Sequence, residues 1–207
     1  MLAPDLPGHG RDAAPINSVS MRSYAQRVAD VMLTADEPVM LVGHSMGGFV
    51  ISAAAEQQPH AVAKLVYLAA FLLEDGQTFG DVAASDAGSQ VPSALVSSPD
   101  GASLTVNPAA LKALFYGDCS DQDIALAEFS LGPESAAALA ASMHTTPSRW
   151  GRIPRVYVEC TQDRAVSIVS QRAMMQRLPC DRVVTMDTSH SPFFSAPDQL
   201  ARHLLAL

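Results

Sequence analysis

No apolar run among the 207 residues reaches the roughly 18 that a membrane-spanning helix needs. Positive charge is also short. Thirteen Lys and Arg face 21 Asp and Glu, a net charge of −8, and no basic stripe exists to neutralise phosphates, which excludes nucleic-acid binding. Cysteine is sparse: Cys119, Cys160 and Cys180 are odd in number and none belongs to a CxxC pair. Met1 is followed by Leu-Ala-Pro-Asp, without the basic start and apolar stretch of a secretory signal. The thiols therefore read as buried or idle residues of a cytoplasmic protein, Cys160 as a core residue closing an apolar stretch. No two histidines have metal-ligand spacing, so no metal is expected. Charged residues make up only 16% and apolar ones 48%, enough apolar surface to offset chain entropy; disorder is excluded, and the length suits one domain with or without an insertion.

The charge that is present is unevenly placed. Residues 74–150 hold ten acidic groups (Glu74, Asp75, Asp81, Asp86, Asp100, Asp118, Asp121, Asp123, Glu128 and Glu134) against Lys112 and Arg149, so this segment carries the whole net charge of −8. The shift marks 74–150 as an insertion, with residues 1–73 and 151–207 forming the remaining unit. Its acidity reads as solubility first, and as a bias against anionic substrates second. No internal repeat is visible.

Outside that segment, apolar runs alternate with helical patterns. Strands are predicted at residues 2–5, 38–43, 65–70, 155–160 and 182–187, with 38–43 (PVMLVG) buried on both faces because nothing in it alternates. Helices are predicted after Ser20, over 46–58, near 167–178 and near 197–205. Alternation of this kind argues for an α/β fold, a mostly parallel sheet with helices on both faces.

Gly43-His44-Ser45-Met46-Gly47 is a G-x-S-x-G sequence lying between a buried strand and a helix, the setting that a nucleophile elbow requires. Gly43 and Gly47 let strand and helix approach, and Gly48 gives further room. The Ser45 hydroxyl is then presented at a helix N-terminus, where the Met46 amide can donate to a developing oxyanion. A serine needs a base, and the base needs an orienting acid, in the chain order Ser…Asp…His. Asp163 and His190 each follow a predicted strand, at the carboxyl edge where sites of parallel sheets assemble. Asp187 is a rival acid still within its strand; His203 reads as a surface residue; the His44 side chain is expected to point away from the serine hydroxyl. His9 lies in a Pro-Gly-His-Gly loop and reads first as part of a turn, second as a residue at the edge of the site; His60 and His144 have no partner pattern.

These stretches resemble the α/β-hydrolase superfamily, and within it the branch of plant methylesterases and hydroxynitrile lyases. The likeness rests on LAPDLPGHG (2–10), LVGHSMGG (41–48), LVYLAAF (65–71), CTQDRAVS (160–167) and DTSHSPFFSAPDQL (187–200). Residues 115–119 and 121–126 are similar to the cap sequence of bacterial members. The resemblance implies a mainly helical cap over 74–150, a triad of Ser45, Asp163 and His190, an oxyanion donor at Met46, and an apolar substrate wall that includes Phe71, Leu72 and Phe193. The implied activity is cleavage of a small, mostly apolar carboxylic ester, without a cofactor and without membrane or nucleic-acid partners.

Two departures accompany the resemblance. Lyase members carry a lysine directly after the histidine; here it is Ser191, which disfavours lyase chemistry. The family also opens with earlier strands and a loop that supplies a second oxyanion donor, and the likeness begins only at the strand after them. The missing strand would lie between residues 2–5 and 39–43, leaving two buried edges unpaired. A longer natural chain, a re-paired sheet, or a second copy in the gap are the three outcomes. The gap also opens an alternative function, a weak or inactive hydrolase-fold protein that binds a small molecule.

Overall fold

The structure, a computed structural model, describes all 207 residues. Residues 1–20 run as turns and one 3-10 turn before helix α1 (Met21–Met32). Ser20 and Ser23 start that helix reciprocally: each hydroxyl accepts from the other's amide, satisfying two N–H groups that a helix start leaves open. Strand β1 (Val39–His44), helix α2 (Gly47–Gln57) and strand β2 (Val62–Leu68) follow. Residues 74–150 then form α3 (Phe79–Ser85), α4 (Val91–Ala94), β3 (Leu95–Ser97), β4 (Ser103–Val106), α5 (Pro108–Phe115), α6 (Asp121–Ser130), β5 (Glu134–Ser135) and α7 (Ala136–Leu139). The chain ends with β6 (Arg155–Cys160), α8 (Ile168–Arg177), β7 (Arg182–Met186), α9 (Pro192–Ser195) and α10 (Pro197–Leu205).

The main sheet is fully parallel in the order β1-β2-β6-β7, while β3-β4-β5 make a separate antiparallel sheet. Strand alternation divides the core into two layers. Leu65, Tyr67 and Tyr157 face the layer that holds Tyr24 and Ala25 of α1, Phe49 and Ile51 of α2, and Met174 of α8. Val66, Leu68, Val156, Val158, Val184 and Met186 face the opposite layer, closed by Leu200 of α10. Each fully buried side chain of this size contributes about 1.5–3 kcal/mol, so both layers are needed to hold the sheet.

Three sequence expectations change here. Residues 2–5 form no strand. They have no neighbour to receive their main-chain bonds, and Asp5 is instead tied by Arg11, whose amide and Nε both donate to its carboxylate, and by Arg27, which donates to its carbonyl. The sheet does not re-pair: β1 bonds only β2, so Met40 and Val42 remain 41% exposed and this strand is not buried on both faces. Strand β2 stops before residue 69 because Ala69 takes a positive φ of 44°. The segment 74–150 is mainly helical, as expected, with the three short strands β3-β4-β5 beside its five helices.

Candidate active site

Ser45 lies between β1 and α2 with φ 53°, a left-handed conformation that a non-glycine residue holds only when its surroundings impose it. Those surroundings are visible. The Ser45 amide donates to the Leu68 carbonyl at 3.3 Å, and its carbonyl accepts from Phe71 N at 3.0 Å and Gly48 N at 3.1 Å. A Cβ on Gly43 would stand 2.4 Å from the Gly47 carbonyl oxygen, and one on Gly48 would stand 2.4 Å from the Phe71 carbonyl oxygen. Gly43 and Gly48 are thus the glycines the turn requires; Gly47, expected to share that duty, has open space around it. Met46 caps α2 without a side-chain bond, and its side chain packs on the main core. Beneath the elbow a directed chain of bonds runs from Trp150 Nε1 to the Tyr67 hydroxyl (2.9 Å), on to Ser52 Oγ (2.7 Å), and from there to the Gly48 carbonyl (2.7 Å). The direction is forced, because indole only donates and carbonyl only accepts. Burial pushes the Tyr67 phenol up to about 12, so it stays a donor.

Asp163 sits in the loop after β6 with its side chain fully buried. One oxygen accepts the amides of Ala165 (2.7 Å) and Val166 (3.0 Å); the other accepts from Gln171 Nε2 (3.2 Å) and faces His190 Nδ1 at 2.8 Å. Four donors around one carboxylate fix it as the acceptor, so His190 carries its proton on Nδ1. His190 follows β7, is 1% exposed, and its Nε2 has no hydrogen-bond partner. A buried acceptor left open in this way is free to accept from a donor that enters beside it.

Ser45 and His190 line the same cavity, of about 670 Å³, most of whose remaining wall comes from residues 95–139. Leu104, Leu111, Phe115 and Tyr116 supply its apolar surface, and Phe193 joins them from α9, the short helix after His190. Phe71 and Leu72 do not. Both point into the main core, 4% and 1% exposed, with Phe71 packed on Phe79. Apolar residues following a buried strand satisfy core and pocket readings equally, and here the core prevails.

The rival residues separate cleanly. Asp187 accepts from Thr161 and Gln162 and makes no bond to His190. His203 is on α10, and His60 and His144 lie outside the cavity. His44, expected to point away from the serine hydroxyl, lines the cavity, and so does His9, in keeping with the second of its two readings. The His44 ring stands 4.4 Å from that of His190, and its Nε2 donates to the His190 carbonyl at 2.8 Å. Desolvation, and then the neighbouring His190, hold the His44 pKa down to about 3, so it remains neutral. Gln171 was also missed: it donates to Asp163, to the Cys160 carbonyl and to the Val166 carbonyl, and accepts from Cys160 N. Nothing in a G-x-S-x-G pattern signals such a residue.

Three acidic residues of 74–150 bind the surrounding loops. Asp86 accepts from the amide (2.8 Å) and hydroxyl (2.5 Å) of Ser167, close after Asp163. Asp118 accepts from the Ser189 amide (2.9 Å) and hydroxyl, next to His190. Glu134 accepts from the Tyr24 hydroxyl at 2.5 Å. Part of the segment's acidity is therefore structural, each carboxylate fastening it to the unit that carries Ser45 and His190.

Comparison with known proteins agrees with this arrangement. The sequence profile of the alpha/beta hydrolase family matches residues 1–203. A pyrethroid hydrolase of Sphingobium wenxiniae is 33% identical over 96% of this chain and 74% of its own length. A chloroplastic protein of Arabidopsis thaliana carrying the name methylesterase 11 is 30% identical over 100% of this chain and 56% of its own length. The chain thus spans between about half and three-quarters of these relatives. A crystal structure of a pyrethroid hydrolase superposes with a TM-score of 0.85 at 29% identity, covering 98% of this chain and 83% of that one. An Arabidopsis methylesterase structure superposes with a TM-score of 0.81 at 23% identity, over 98% of this chain and 84% of that one, a likeness of fold. No helix is long and apolar enough to cross a membrane. The chain belongs to the alpha/beta hydrolase family, on the branch whose relatives carry the names methylesterase and pyrethroid hydrolase.

Proposed function

We propose that this chain hydrolyses small, mostly apolar carboxylic esters through an acyl-enzyme on Ser45. The observation that carries the reading is His190 Nε2, buried and unpartnered in the cavity that also holds Ser45, with Nδ1 anchored on Asp163 at 2.8 Å. Ser45 Oγ attacks the ester carbonyl as Nε2 takes its proton. The Met46 amide donates to the oxyanion. The imidazolium, stabilised by Asp163, returns the proton to the leaving alcohol, and water repeats the cycle to release the acid. Residues 74–150 act as a cap whose apolar wall receives the ester, with Phe193 beside His44 at the histidine end. The names of the relatives, methylesterase and pyrethroid hydrolase, point to the same bond.

The test is turnover of p-nitrophenyl acetate together with labelling by a serine-directed phosphonate. Hydrolysis with the label on Ser45, and loss of both in Ser45→Ala, supports the esterase. A second reading, a non-catalytic small-molecule binder, rests on Met46 being the one oxyanion donor assigned; loss of a single such donor costs about 2.7–4 kcal/mol of transition-state stabilisation. Absence of labelling with tight binding of an apolar ligand would favour it. Cyanide release from mandelonitrile is not expected, because Ser191 stands where a lyase lysine would.

A further inference from the structure

The cavity wall changes character between its 104–116 stretch and residues 128–134. Leu104, Leu111 and Phe115 are apolar; Glu128 and Glu134 also line the cavity, and no Lys or Arg does. Glu134 is a held carboxylate. Its Oε1 accepts from the Tyr24 hydroxyl at 2.5 Å and from the Ser135 amide at 2.8 Å, and its Oε2 stands 3.4 Å from His9 Nε2. These are donors, so both oxygens act as acceptors; Oε1 is filled by its two, while Oε2 keeps one lone pair beyond His9. The side chain is 23% exposed. His9 offers nothing to an incoming anion, because its Nδ1 lies 3.1 Å from the Pro7 carbonyl while Nε2 faces Glu134. His44 is neutral and its Nε2 is spent on the His190 carbonyl. The buried, unpartnered His190 Nε2 opens into this same cavity and independently marks it as a place where a ligand docks.

We propose that Glu134, braced by Tyr24 and His9, is a specificity-determining acceptor for a hydrogen-bond donor, a hydroxyl or an ammonium, carried on the apolar body of the ester, and that the same wall rejects esters bearing a carboxylate. The inference rests on the esterase reading of Ser45 and deepens it. A hydroxyl or ammonium docks on an oriented charged acceptor, which makes the stronger class of hydrogen bond. A carboxylate meets two like charges, and the one wall side chain that gains positive charge, His9, is already engaged by Glu134 and the Pro7 carbonyl.

The experiment uses p-nitrophenyl esters of matched acyl length ending in methyl, hydroxyl, ammonium or carboxylate, and alkyl acetates carrying the same four groups on the alcohol side. The reading is the kcat/KM ratio of ammonium to carboxylate ester, in which any general loss of activity cancels. A ratio of about ten or more in the better-placed series, falling as ionic strength rises and collapsing toward one in Glu134→Gln, is the expected result. Because the salt dependence is read on the wild-type protein, a variant that fails to fold leaves the decision intact. Turnover of the methyl-terminated ester with a wild-type ratio near one in both series, or in favour of the carboxylate, overturns the inference and spares the esterase. Absence of all turnover defeats the esterase instead. Calorimetry with the matching anilides, whose amide bond resists cleavage, then decides the inference: tighter binding of the ammonium form supports it, and equal binding or preference for the carboxylate overturns it.

Discussion

The His44 ring lies 4.4 Å from the His190 ring and donates its Nε2 hydrogen to the His190 main-chain carbonyl at 2.8 Å. The residue before the serine thereby holds the peptide of the histidine that shares its cavity. Burial keeps His44 neutral, with its pKa at about 3 against 6.5 in the unfolded chain. A folded value below the unfolded one means that its contribution to stability is complete above about pH 6.5. That contribution is lost as pH falls toward 3, at up to ~1.4 kcal/mol per pH unit. Urea unfolding between pH 7 and 4 should show a steeper loss in the wild type than in His44→Phe, which has nothing to protonate there. Equal slopes would show that His44 is not the acid-labile group. At neutral pH the same variant should be less stable by about 1–3 kcal/mol, since the His190 carbonyl loses its donor.

Asp163→Asn tests the orientation of His190. The substituted amide can keep one oxygen toward Ala165 and Val166, so the loop is retained, but its NH₂ then faces two donors, Gln171 Nε2 and His190 Nδ1–H. The imidazole must move its proton to Nε2, which then cannot take a proton from Ser45. Turnover should fall roughly 10⁴-fold with binding of substrate little changed. A drop of less than tenfold would mean that His190 does not depend on Asp163.

How far the sequence revealed the site follows from what each residue needs. The elbow was legible because its chemistry requires fixed neighbours: a strand, a serine in a positive-φ turn and close-packing glycines leave a local pattern. The pairing of Asp163 with His190 was legible because both follow strands in a parallel sheet. Phe71, Leu72, His44 and Glu134 were not, because an apolar or polar residue beside a turn reads the same whether it faces a core, a cavity or a distant partner. Only tertiary packing decides that. The strand expected at residues 2–5 failed for a related reason: a strand is a property of a pair, and no neighbour accepts its main chain.

The glycines of the elbow supply a prediction about backbone alone. Gly48→Ala puts a methyl group 2.4 Å from the Phe71 carbonyl oxygen, whose own amide donates to the Ser45 carbonyl at 3.0 Å. A main-chain atom cannot rotate away as a side chain does. The substitution should destabilise by about 1–3 kcal/mol and disturb the Ser45 turn, whereas Gly47→Ala, with open space at that position, should be tolerated. Thermal unfolding of the two variants checks the contrast, and equal melting points would contradict the packing described here.

His9 provides the opposite pH signature to His44. The Glu134 carboxylate beside it raises its pKa above the usual 6.5, with smaller support from the Pro7 carbonyl and Asp12 against the cost of partial burial. A folded value above the unfolded one places its contribution fully below about pH 6.5, lost as pH rises through the folded value. His9→Gln can still donate to Glu134 but does not titrate. The stability difference between wild type and His9→Gln should therefore favour the wild type most near pH 6 and shrink as pH climbs toward 9. Esterase discrimination against carboxylate-bearing substrates should sharpen over the same range, because Glu134 loses its cationic neighbour while Tyr24, whose phenol is pushed well above 10, continues to hold it in place. Urea midpoints and kcat/KM ratios at matched ionic strength check both. A difference that grows with pH would mean that the imidazole is neutral in the folded protein and that the 3.4 Å contact is not an ion pair.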